Sequence, residues 1–166
     1  MAFVRALVRS GPEPDAPVVT DPRVTHEAVL EVSPEGVVLS SVQVAYPRRV
    51  VPADVPAAAA AAQRSTLARF RSHRVTTDVI DSDSDHRVPA LWRVDEHAVL
   101  GLVAPASPRL FTFESLAAIA AAPEVGPGDD LPEGVSRRAV GRATARFRSD
   151  DLASVLPAGE QGRRSL

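Results

Sequence analysis

Two runs of alternating apolar and polar residues, Val24 to Val32 and Val37 to Tyr46, flank Ser33-Pro34-Glu35-Gly36, and this arrangement limits the chain's fold more than any other feature. Side chains on a strand alternate between faces, so Val24, His26, Ala28, Leu30 and Val32 share one face while Thr25, Glu27, Val29 and Glu31 share the other. In the second run Val38, Ser40, Val42, Val44 and Tyr46 line one face, the β-branched residues suit a pleated surface, and Pro47 closes the run. Pro34 fits the second position of a β-turn, and Gly36 can take a positive φ that a Cβ disfavours. The pattern predicts an antiparallel hairpin.

Other segments are short. Residues 10–22 hold four prolines and no periodicity, which predicts an extended lead-in over 1–22 and a single β-rich segment over 23–166. Six alanines, Ala57 to Ala62, follow Asp54 and Pro56 and predict a short helix with Asp54 near its N-cap. Leu67 and Phe70 would share a face if the helix continued, whereas Val75-Thr76-Thr77 has strand character, so a short helix followed by a strand is expected. Asp78 to Asp85 reads as an acidic loop, and Val88 to Val103 as one or two short strands. Thr112 is placed to cap a helix over Phe113 to Ala122, with Phe111 and Leu116 as a hydrophobic staple and Pro123 as its stop. Residues 123–134 read as a loop, and strict alternation from Ala139 to Phe147 predicts a final strand with Ala139, Gly141, Ala143, Ala145 and Phe147 on one face. The fold class is therefore mainly β with one or two short helices.

Composition narrows the functional classes. Apolar residues make up 45% of the chain but aromatics only 4%, and much of the rest is alanine, which buries little area and gives a modest core. With no cysteine, neither a disulfide framework nor thiolate metal ligation is available. A formal charge of −2 argues against a polyanion-binding protein, although every Lys/Arg position is arginine. Met1 to Arg9 is too short and too charged for a signal-peptide core or a membrane span.

Chemical motifs are weak. Asp81-Ser82-Asp83-Ser84-Asp85-His86 begins like a calcium loop, with oxygen ligands at alternate positions, but His86 replaces the glycine and Trp92 the bidentate glutamate such a loop needs. A solvated acidic turn is the favoured reading, and a metal-dependent hydrolase built on Asp81–His86 the least favoured. The histidines at 26, 73, 86 and 97 lack the spacing of a zinc hydrolase, and no serine sits in a nucleophile-elbow sequence. Arg137, Arg138, Arg142, Arg146 and Arg148 are expected on a solvated or salt-bridged strand face, not on a phosphate site. No catalytic, cofactor-binding or metal-binding residue is assigned.

Several segments, in order, resemble one stretch of the B component of Tc insecticidal toxin complexes, a group with SpvB-like and Rhs-type β-repeats. They begin with Asp21-Pro22-Arg23 and His26, continue through Ala28-Val29-Leu30-Glu31-Val32 and Gly36, and reach Ser41-Val42-Gln43-Val44-Ala45-Tyr46-Pro47-Arg48-Arg49. Gln63, Thr66-Leu67 and His86-Arg87-Val88-Pro89 continue the resemblance, with His86 where the family has tyrosine and no glycine before Pro89. Leu110 to Leu116 resembles the family's helix, and Arg137-Arg138-Ala139-Val140, Arg146 to Leu152 and Leu156-Pro157-Ala158-Gly159-Glu160 resemble its later segments. The likeness spans roughly residues 20–166.

The resemblance implies antiparallel hairpins of an Rhs-type β-shell that encloses a cytotoxic polypeptide and helps translocate it, in a secreted virulence assembly. It implies other shell segments of the B and C components as partners, the enclosed polypeptide as a further one, an extracellular or complex-associated location, and no enzymatic activity in this chain. A whole B component is many times longer, so a gene fragment, split-gene remnant or trimmed module is expected. A small autonomous protein-binding module, otherwise cytoplasmic, is the second reading; neither involves nucleic acid or a membrane span.

Overall fold

The computed structural model describes residues 2–7, 21, 23–77, 79–82, 85–106, 110–149 and 151–161. Among these residues eight strands form: β1 (Ala2–Leu7), β2 (Arg23–Val32), β3 (Val38–Ala45), β4 (Leu67–Val75), β5 (Val79–Ser82), β6 (Asp85–Arg87), β7 (Leu91–Leu100) and β8 (Ser136–Thr144). Two α-helices, α1 (Ala57–Arg64) and α2 (Phe113–Ala117), complete the order, with a 3-10 turn at Ala118–Ala121 directly after α2. The main sheet is antiparallel with order β1-β2-β3-β4-β7-β8, and β5 and β6 pair separately as a small hairpin. Each strand of the main sheet lies beside its neighbour in sequence once the β5–β6 excursion is set aside.

The predicted hairpin is β2–β3. Ser33 N–H donates to the Val37 carbonyl at 2.8 Å, Gly36 N–H donates to the Ser33 carbonyl at 2.9 Å, and Gly36 takes φ +86°. Ala28, Val42 and Phe70 lie opposite one another across β2, β3 and β4, and His26, Val44, Ala68 and Val99 form the next row. These residues carry the core face, onto which Leu116 and Ile119 pack from α2 and the 3-10 turn. Both are at most 1% exposed, and Val42 and Val44 are fully buried. Small Ala28 and Ala68 among the larger side chains let a short helix approach the strands closely.

Tyr46 fastens that helix to the sheet. Its hydroxyl accepts from Phe111 N–H at 2.9 Å and contacts His26 Nδ1 at 3.2 Å. Thr112 is the N-cap of α2, accepting from Ser115 N–H at 3.3 Å, as its sequence position predicts. The expected helix over Phe113 to Ala122 is divided, tightening to 3-10 from Ala118 and ending before Pro123.

Other expectations need correction. Ala2–Leu7, within the predicted lead-in, pairs with β2 as an edge strand, while residues 8–20 and 22 lie outside those described. The N-cap of α1 is Pro56, which leaves Asp54 two residues before it, near the helix entrance as expected. The expected short helix followed by a strand does form, and Leu67 and Phe70, at 51% and 4% exposure, differ in burial along β4 as a strand requires. Leu91–Leu100 is one long strand. The final strand ends at Thr144, and a bulge puts His97 opposite Ala139 but Glu96 opposite Gly141, so the strict alternation through Phe147 breaks at Val140. Residues 139–144 are all exposed, not a small-residue inner face.

Candidate functional site

The sheet has two unlike faces. Opposite the core face, Glu27, Gln43, Leu67, Arg69 and Arg71 are exposed, and they occupy consecutive cross-strand positions on β2, β3 and β4. A shallow open depression bounded by Thr25, Gln43, Ala45, Leu67 and Arg69 lies on this face. Apart from Leu67 its residues are polar or short, because alternation sends Val42 and Val44 of the hairpin to the core side.

Charge on the outer face converges on Glu96. Arg71 Nη2 lies 2.8 Å and Arg69 Nη1 3.4 Å from Glu96 Oε1. The hydrogen bond from Arg71, helped by both positive charges, holds the Glu96 carboxyl below its usual range. Exposed pairs of this kind contribute about 0–1 kcal/mol each, so their importance lies in the pattern they present.

A second cluster sits on the core-side face beyond the helix. Asp95 accepts from Arg93 Nε at 2.6 Å and Nη2 at 2.9 Å, and from Arg142 Nε at 2.6 Å. The Arg93 hydrogen bonds are the main reason its carboxyl is held low, outweighing the burial that opposes ionisation. Arg93 and Asp95 share a face through their i, i+2 spacing, and Arg142 reaches them because it pairs directly opposite Asp95. Sequence reading misses this cluster; the spacing of Arg93 and Asp95 is a local hint, but Arg142 comes from a strand far along the chain.

The terminal arginines are divided. Arg137 lies over the Phe70 ring at 4.8 Å and donates to the Ala122 carbonyl at 3.1 Å, while Arg148 donates to the Leu152 carbonyl at 3.0 Å. Arg138 has a buried Nε without a partner, and Arg146 is exposed. The five arginines therefore do not share one face, in keeping with the expected salt-bridged and solvated reading.

Histidines serve strand contacts. His26 is buried against Tyr46, and burial depresses its pKa. His73 Nδ1 meets the Val38 carbonyl at 2.8 Å, and His97 Nε2 lies 3.5 Å from Glu124 Oε1. In the Asp81–His86 stretch, Ser82 and Asp85 are backbone partners of the β5–β6 hairpin, and Asp83 and Ser84 lie outside the described residues. Among the described residues no group of three or more His, Asp or Glu side chains is placed to hold a metal ion.

The sheet also has an open edge. Residues 123–125 cover the start of β8: Arg137 N–H donates to the Pro123 carbonyl and Val125 N–H to the Arg137 carbonyl, both at 2.8 Å. Beyond them, β8 has no further strand beside it among the described residues. Val140, at 56% exposure, adds an apolar side chain to this edge.

A family model described as the insecticide toxin TcdB middle/C-terminal region matches residues 17–102, the span that includes β2 through β7. A search of curated proteins returned no match. No helix among the described residues is long and apolar enough to cross a membrane.

Proposed function

The chain belongs to the insecticide toxin TcdB middle/C-terminal family, and from that premise we propose that it is a structural wall segment of a toxin-complex β-shell, contributing to enclosure and delivery of a cytotoxic polypeptide. The observation that carries this reading is the one-sided sheet, with a helix packed on one face and the other face and the β8 edge left open. A free sheet edge presents unpaired backbone groups that another strand can satisfy. In a shell, neighbouring segments of the B and C components supply those strands, and the uncovered polar face lines a wall.

The role is non-enzymatic. His26 contacts Tyr46 and Asp95 is held by two arginines, so these buried polar groups stabilise the fold instead of facing a reacting group. The location that follows is extracellular, within the assembled toxin.

Co-expression with toxin B and C components tests the proposal. A tagged chain should co-purify with them at fixed stoichiometry and elute at the size of the complex. Elution as a free monomer, with both components present and assembled without it, would contradict the role.

A further inference from the structure

We propose that the outer edge of β8 binds an extended, carboxylate-rich segment as an added antiparallel strand. The inference deepens the shell reading by naming the chemistry of the strand that pairs here, and it rests on that reading for its biological setting. Its physical basis is independent.

Backbone geometry supplies the first part. Ala145 N–H donates to the Trp92 carbonyl at 2.7 Å, so Ala145 faces β7. Backbone groups alternate in direction along an antiparallel strand, and Val94 opposes Ala143 while Asp95 opposes Arg142. Thr144 and Arg142 therefore turn their N–H and carbonyl groups away from β7. The segment at 123–125, which satisfies Arg137, bonds only that end of the strand.

Charge identifies the occupant. Residues 136–149 contain five arginines and no Asp or Glu. Arg142 gives its Nε to Asp95, yet its side chain is 61% exposed, which leaves its terminal nitrogens accessible to a second carboxylate. Arg146 is exposed just past the strand end. A second copy of β8 would bring arginines against arginines, and like charges across a strand pair are destabilising. An acidic strand gains both the ladder hydrogen bonds and charge-assisted contacts to guanidinium groups, the combination by which extended peptides bind sheet edges.

The test uses the full chain and a short fluorescent peptide with glutamates at alternate positions and valines between them, followed by anisotropy. Its counterpart carries lysine in place of glutamate. The acidic peptide should bind and the lysine peptide should not. Thr144→Pro removes an outward N–H without touching a bond to β7 and should weaken binding by about tenfold, the equivalent of one lost hydrogen bond at about 1.4 kcal/mol per decade. Arg146→Glu should weaken it independently, and circular dichroism would establish that both variants keep the sheet. Absence of binding, equal binding of the two peptides, or undiminished binding by folded Thr144→Pro would overturn the proposal. Shell membership would stand or fall separately on co-purification.

Discussion

Replacing Leu116 by alanine should destabilise the chain more than any change on the outer face. Leu116 is fully buried beneath α2 and belongs to the same cluster as Ala28, Val42, Val44, Ala68 and Phe70. Truncation removes its transfer free energy and leaves a cavity, and Leu→Ala changes in cores cost about 2–5 kcal/mol. The floor of this cavity is a hydrogen-bonded sheet and cannot rise to fill it, so a value of about 3 kcal/mol or more is expected. For a chain of this length that corresponds to about 6–12 °C in Tm. Urea unfolding followed by circular dichroism would measure it, with Phe113→Ala as the control on the same helix. Phe113 is 45% exposed and its truncation should cost well under half as much. Equal destabilisation by the two variants, at unchanged denaturant slope, would refute the placement of Leu116 as the side chain that joins helix to sheet.

Tyr46→Phe should cost about 1–3 kcal/mol in urea unfolding, because it leaves the Phe111 N–H without its acceptor; a neutral result would contradict the link. Gly101→Ala should lower Tm sharply, since a Cβ there would fall 2.1 Å from the Gly134 carbonyl oxygen and the residue holds φ +72°. Thermal unfolding against pH should fall in two stages. The depressed pKa of buried His26 makes the unfolded chain take up its proton first, so stability present above about pH 6.5 declines as pH falls below that value. The depressed carboxyl of Asp95 contributes stability above about pH 3.8 that is lost as pH falls through its folded value, and Asp95→Asn should shrink that lower stage, to which the depressed Glu96 carboxyl also contributes.

The β2–β3 hairpin was legible because period two, β-branched residues and a Pro-Glu-Gly turn agree. The helix at Phe113 was legible for a similar reason, with a Thr112 cap and a Pro123 stop. Near Leu67 the signals conflict: alanine propensity runs into alternating arginines, and only pairing with β3 and β7 decides for a strand. The bulge at Val140 has no local marker beyond the adjacent Gly141, and it inverts the faces of every later residue on β8. The arginine cluster was visible as composition, but its division between Phe70, Asp95 and solvent depends on strand order. The family was legible from ordered short segments, and its model matches residues 17–102, which hold the hairpin segments and those through Pro89, while the segments from Leu110 onward lie beyond the match.

The most direct test of the shell role exploits the absence of cysteine. A single Gln43→Cys places one thiol at an exposed position on the outer face of β3, and its alkylation rate can be read with the chain alone and with assembled toxin components. Slowing by about tenfold or more on assembly is expected if that face lines the enclosed side of the wall, since enclosure excludes reagent from all but transiently open states. An unchanged rate in a complex that contains the chain would contradict the proposed place of this sheet in the wall.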